Sequence, residues 1–80
     1  MPANIPELAK ELAKSLVDSP EEVLVVASGD IEYLKLELEV AEDDLGRVIG
    51  RSGRTARALR TILSAAAEKN GQRCALDIVE

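Results

Sequence analysis

Leu45-Gly46-Arg47-Val48-Ile49-Gly50-Arg51-Ser52-Gly53-Arg54-Thr55-Ala56-Arg57-Ala58-Leu59-Arg60 is the stretch on which the reading of this chain turns. Leu45, Val48 and Ile49 have the spacing of a short helix, and Asp43 stands where its N-cap is expected. Gly50-Arg51-Ser52-Gly53 interrupts that helix. A longer helix follows, with Ala56, Leu59, Ile62, Leu63 and Ala66 on one face and Arg54, Arg57 and Arg60 in a separate stripe at i, i+3, i+6. Almost any short polar turn can join two helices, but this one has glycine at both ends and arginine on both flanks. Glycine lacks a Cβ, so the chain can turn sharply there and another backbone can approach closely. The N-terminus of the following helix offers free N–H groups and the positive end of a dipole. Arginine adds charge-assisted, often bidentate bonds to phosphate. Together these features describe a seat for a phosphodiester backbone.

Upstream, Ile5, Leu8, Ala9, Leu12, Ala13, Leu16 and Val17 keep the rhythm of one helical face, with Asn4 and Glu7 at capping-box spacing. Asp18-Ser19-Pro20 ends that helix, Val23 to Ala27 reads as a strand, and Ser28-Gly29-Asp30 turns the chain. Leu34, Leu36, Leu38 and Val40 then alternate with Lys35, Glu37 and Glu39, giving a hairpin with one buried and one wet face. Downstream, Asn70-Gly71 stops the long helix, and Cys74, Leu76 and Ile78 alternate with Arg73, Ala75 and Asp77 in a third strand. The order is α-β-β-α-α-β. Three apolar helix faces meet one apolar sheet face, so the expected fold is a two-layer α+β domain. Residues 1–80 read as a single domain, with a core from about 5 to 79.

Composition removes most chemistry. The chain has no histidine, which excludes His-based acid–base catalysis, the Ser-His-Asp and Cys-His arrangements and the usual zinc sets. Tyr33 is the sole aromatic residue, so binding by stacked rings is not expected; it falls on the polar side of the sheet and has no assigned role. Cys74 is the one cysteine and alternates with core positions, which suits an inert thiol in a reducing compartment. The longest apolar run, Val23 to Ala27, is too short to span a bilayer, and no signal-like segment opens the chain. A cytoplasmic protein is expected, with no cofactor, metal or small-molecule substrate. Charge is very unevenly placed. From Leu45 to Ala67 there are five arginines and no acid, hence +5, against −5 for the whole chain, so the remainder carries −10. A ligand meets this local field, because salt screens charges beyond roughly 8–10 Å.

From Leu45 through Arg60 the sequence resembles KH RNA-binding domains, whose mark is an I-G-x-x-G loop between two helices, here Ile49-Gly50-Arg51-Ser52-Gly53. The helix-strand-strand prefix matches the prokaryotic, type II arrangement of that fold, and the pattern is similar to that of small stand-alone bacterial KH proteins. A lone G-x-x-G is uninformative. Joined to Val48-Ile49 before it, to Arg54-Thr55-Ala56-Arg57-Ala58-Leu59-Arg60 after it and to the right element order, it is specific. Arg51 stands where lysine is common, which preserves the charge. The resemblance implies that single-stranded RNA lies between the loop-bearing helices and the neighbouring strand, its backbone clamped over about four nucleotides. It implies phosphate contacts from Arg51, Ser52 and the backbone of Gly50 and Gly53, with Arg47, Arg54 and Arg57 extending the basic edge. Val48, Ile49 and an inward residue of the last strand, Leu76, would form an apolar floor under the bases. It further implies a homodimer or a complex with a larger Jag-type KH protein, and an RNA chaperone or post-transcriptional role linked to cell elongation and division.

Other readings compete at single positions. Gly50 and Gly53 also suit a tight interhelical turn with no ligand, and Arg57 and Arg60 also suit exposed pairs with acids. At the level of function, the alternative is a KH-fold protein-interaction subunit with little RNA binding of its own. Double-stranded DNA binding by a helix-turn-helix fits less well, because the second helix opens on the glycine loop and a sheet precedes the pair. No phosphate-loop motif or paired carboxylate site suggests an enzyme.

Overall fold

The computed structural model describes residues 3–80. Helix α1 spans Ile5–Leu16, strand β1 Leu24–Gly29, strand β2 Tyr33–Glu39, helix α2 Leu45–Ile49, helix α3 Arg54–Lys69 and strand β3 Arg73–Ile78. Short 3-10 turns stand at Pro20–Glu22, Glu42–Asp44 and Arg51–Gly53. The expected α+β order is thus present. Helix α1 starts because the Asn4 side chain accepts the Glu7 N–H at 3.1 Å, and Pro6 in the first turn needs no intrahelical donor. Val17 turns extended and Pro20 follows, so the helix stops at Leu16. At the far end of α3, the Gln72 N–H reaches Ala67 O and the Gly71 N–H reaches Glu68 O. The Asn70 side chain also exchanges two hydrogen bonds with the backbone of Ala3, tying the start of the described chain to that helix end.

β1 and β2 form the expected antiparallel hairpin, in register from Leu24↔Glu39 to Gly29↔Leu34. β3 lies parallel to β2, from Tyr33↔Arg73 to Leu38↔Ile78, in the order β1-β2-β3. The α2–α3 pair is the crossover that a parallel pairing needs. Leu36, Leu38 and Leu76 project from the sheet into a core with Ile5, Ala9, Ala13, Val48, Leu59, Leu63 and Ala67 from the helices. Each large side chain fully buried there contributes roughly 2 kcal/mol. Ala13 and Ala67 have no exposed surface, which lets the helices approach closely.

Four expectations need correction. Val23 is buried in the core but precedes the ladder, and β1 begins one residue later and runs on to Gly29. Asp43 does not cap α2. A 3-10 turn occupies Glu42–Asp44, and Asp44 at the N-cap position gives its side chain to other partners. Ile62 is 46% exposed, and Ala67 takes its place in the core. The buried line on α3 is Ala56, Leu59, Leu63 and Ala67, and Ile62 is turned from it by about 100°. Among the described residues Arg57 and Arg60 pair with no acid, and both bond to backbone carbonyls.

Candidate nucleic-acid interface

The joint between α2 and α3 is built from backbone conformations that few residues tolerate. Gly50 has φ 75° and ψ 171°, a region that is essentially glycine's alone. A Cβ there would run into the Thr55 side chain and come within 2.8 Å of Thr55 N. Ser52 (φ 55°) and Gly53 (φ 73°) are left-handed, so three of the four joint residues have positive φ. The chain therefore reverses tightly and re-enters a helix at Arg54. Gly53, at the α3 N-cap, has no side chain to satisfy the first N–H groups of that helix, and no side-chain cap is made. The Arg54 N–H is taken by the Arg51 carbonyl, and no side chain caps the N–H groups that follow, so the positive end of a 16-residue helix dipole lies beside the turn.

The arginines around the turn differ in what already holds them. Arg51 and Arg54 are exposed and make no ion pair or side-chain hydrogen bond among the described residues. Arg57 Nη2 donates to Ser52 O at 3.2 Å, which stitches the turn to α3. Arg47 is held by Asp18 at 2.8 Å and by Asp44 at 3.5 Å. Asp44 is itself buried, and its two oxygens accept the N–H groups of Asp18 and Ser19 at 3.1 and 3.0 Å. This carboxylate pins the end of α1 to the start of α2. Its role had no local signal in the sequence, since its partners lie 25 and 26 residues away.

The apolar floor differs from expectation. Val48 and Leu76 are 0% and 5% exposed, so neither offers surface to a ligand. Val48 supports the turn from below, and half-buried Ile49 is the apolar side chain next to Gly50. Leu76 contributes a carbonyl instead: Arg60 Nε donates to Leu76 O at 3.0 Å, bridging α3 to the outer edge of β3. Arg73 N–H donates to Glu32 O and Val79 N–H to Leu38 O, so odd-numbered residues of β3 face β2. Cys74, Leu76 and Ile78 therefore turn their amides to the outer edge of the sheet, where Arg60 of α3 reaches Leu76 O. Burial pushes the Cys74 thiol pKa above its ordinary value, which keeps it protonated and unreactive near neutral pH. Among the described residues no three His, Cys, Asp or Glu side chains gather to hold a metal, and no helix is long and apolar enough to cross a membrane.

A second surface feature lies between α1 and α3. Leu12, Leu16, Ala58, Leu59 and Ile62 line an open apolar groove of about 170 Å³ that ends at Thr55, beside the glycine turn.

The sequence profile of the family described as KhpA/KhpB, KH domain, matches residues 6–78. The chain belongs to that family. Among its relatives is an RNA-binding protein KhpA of Halalkalibacterium halodurans, 47% identical over 73 residues that cover 91% of this chain and 96% of the relative. The protein of that name from Treponema pallidum is 49% identical over 74 residues, 92% of each chain. Another, from Clostridium acetobutylicum, is 45% identical over 73 residues, 91% of this chain and 97% of the relative. The mixed three-stranded sheet under three helices is thus a KH fold.

Proposed function

We propose that this KH domain is a non-catalytic, single-stranded RNA-binding protein that clamps the RNA backbone with Gly50-Arg51-Ser52-Gly53. The observation that carries the reading is the α3 N-terminus, without a side-chain cap, behind a glycine turn flanked by Arg51 and Arg54, whose side chains have no partner among the described residues. The relatives' shared name, RNA-binding protein, supports it. Arg51, Ser52 and the backbone of Gly50 and Gly53 hold phosphates. Arg54 adds charge along the strand, and Arg57 holds the turn in shape while presenting its remaining donors. Arg47 joins by exchanging Asp18 for phosphate. Ile49 supplies the apolar contact, backed by Val48, and the base edges meet the outward amides of β3.

One groove of this size makes few contacts, so the affinity is of micromolar order. Useful occupancy then needs a second module, from a homodimer or from a larger Jag-type KH protein, which raises the effective concentration. The apolar groove between α1 and α3, with Leu16 and Ile62 exposed at 37% and 46%, supports such an association. In the cell we assign the protein to the cytoplasm, as an RNA chaperone or post-transcriptional regulator serving cell elongation and division. The same exposed groove also favours a second reading, a KH-fold interaction subunit with little RNA binding of its own.

Fluorescence anisotropy with a short labelled single-stranded RNA separates the two, comparing wild type with the Arg51→Asp, Ser52→Asp double variant. Wild-type binding falls with salt at a log–log slope near −2, as about three neutralised phosphates require. The double variant loses binding while circular dichroism shows the fold intact. Equal binding by both proteins places the RNA elsewhere, and no binding by either favours the interaction subunit.

A further inference from the structure

The two edges of the sheet are treated differently. The β3 edge carries Arg73 and Asp77 and is bridged at Leu76 by Arg60. Charged residues and a covering element are how natural edge strands avoid pairing with other chains. β1 has no such device. Leu24-Val25-Val26-Ala27-Ser28-Gly29 contains no charge and no proline, and it runs against β2 without a bulge.

The direction of its free backbone groups follows from the register. The Asp30 N–H donates to Tyr33 O, one step beyond the Gly29↔Leu34 pair, so even-numbered residues of β1 turn their amides to β2. Val25 and Ala27 turn theirs outward, where the sheet has no further strand among the described residues. On the open face Leu24 lies beside Glu39, and Val26 lies beside Glu37, which lies beside Asp77. Leu24 and Val26 are 51% and 48% exposed, and the three acids are exposed as well. A strand added at β1 would be separated from the Glu37–Glu39 row by two strand spacings, roughly 10 Å, with an apolar row between. Lysine or arginine matches that pattern, its aliphatic stem lying on Val26 or Leu24 and its head reaching the carboxylate. A second copy of this chain would bring its own uncharged β1 and leave the acids unanswered.

We propose that the β1 edge takes an extended, basic segment of a partner protein as a fourth strand. Its backbone pairs with Val25 and Ala27, and its cationic side chains, at alternate positions, cross Leu24 and Val26 to Glu39 and Glu37. This surface is separate from the glycine turn, so peptide and RNA binding are independent.

The probe is a labelled decapeptide alternating lysine and valine, with a glutamate–valine decapeptide as control, followed by anisotropy and by amide chemical shifts. The lysine peptide binds and shifts the amides of Val25 and Ala27, and the glutamate peptide does not bind. Ala27→Pro removes an outward N–H and leaves the β1–β2 ladder its donors, and it weakens the lysine peptide about tenfold. Glu37→Lys with Glu39→Lys, both at exposed positions, does the same by charge alone. RNA anisotropy on the same samples stays at the wild-type value for both. Absence of lysine-peptide binding, unchanged affinity in either variant, equal affinity for the glutamate peptide, or pairing of β1 with a second copy overturns the proposal.

Discussion

Gly50 and Gly53 bracket the same turn, yet they are not equivalent residues. At Gly50 both the backbone region and the neighbouring Thr55 forbid a side chain, whereas a Cβ at Gly53 meets only open space. Gly50→Ala therefore costs about 3 kcal/mol of stability, through strain and overlap together. Gly53→Ala costs about 1 kcal/mol, the left-handed penalty alone. Urea denaturation of the two variants reads the difference directly, and equal losses would mean that Thr55 does not constrain the turn. Arg47 offers a second test at this scale. Its pairing with Asp18 is exposed, and such pairs are worth about 0–1 kcal/mol, so Asp18→Ala leaves stability nearly unchanged. It also removes the carboxylate that phosphate has to displace from Arg47, so RNA affinity rises. An unchanged affinity in RNA anisotropy would remove Arg47 from the interface.

At the scale of elements, α2 is too short to hold its own orientation. Five residues make little more than one turn, and an isolated helix of that length has no stability in water. It is fixed instead from both ends, by the glycine turn into α3 and by Asp44, whose buried carboxylate collects two backbone donors from the segment after α1. Asp44→Ala leaves those donors unpaired in a part-buried site and costs about 3 kcal/mol. Because α2 carries Arg47, Val48 and Ile49, the same substitution also loosens the RNA seat. Thermal unfolding and RNA anisotropy measured together check this, and Asp44→Asn, which keeps one acceptor, falls between the variant and wild type. The sequence showed α2 as a short amphipathic segment and its end at Gly50. It did not show the anchor, because an acid before a helix reads locally as a cap, and Asp44 makes no side-chain cap bond.

For the molecule as a whole, opposite charges occupy different surfaces. Arg51, Arg54 and Arg57 surround the turn, while Glu37, Glu39 and Asp77 lie on the open face of the sheet, with Lys35 and Arg73 the basic residues among them. A chain of net −5 can therefore present a cationic seat to a polyanion, because Glu37, Glu39 and Asp77 lie on another face and salt screens them. The apolar groove between α1 and α3 is a third surface, bordering the glycine turn at Thr55. Ile62→Glu puts a charge into that groove at a position already half in water, so it barely alters the melting temperature. It abolishes the concentration-dependent increase in sedimentation coefficient that a homodimer through this groove produces. Persistence of the dimer in Ile62→Glu would locate self-association elsewhere.

Local pattern in the chain is enough to give the order of elements, the buried face of most of them and the position of the glycine turn. These properties follow from short-range periodicity and from residues whose backbone preferences act locally: Asn4 at a helix start, Gly71 at a helix end, Gly50 where no other residue fits. Local pattern also separated the arginine stripe from the apolar face of α3. Long-range packing sets the rest: β3 runs parallel beside β2, Arg60 reaches the Leu76 carbonyl and Asp18 holds Arg47. It likewise put Val48 and Leu76 fully inside and left Ile62 outside. The physical reason is the same in each case. Periodicity gives the direction of a side chain around its own axis, but what stands in that direction depends on how helices and strands distant in sequence pack against each other.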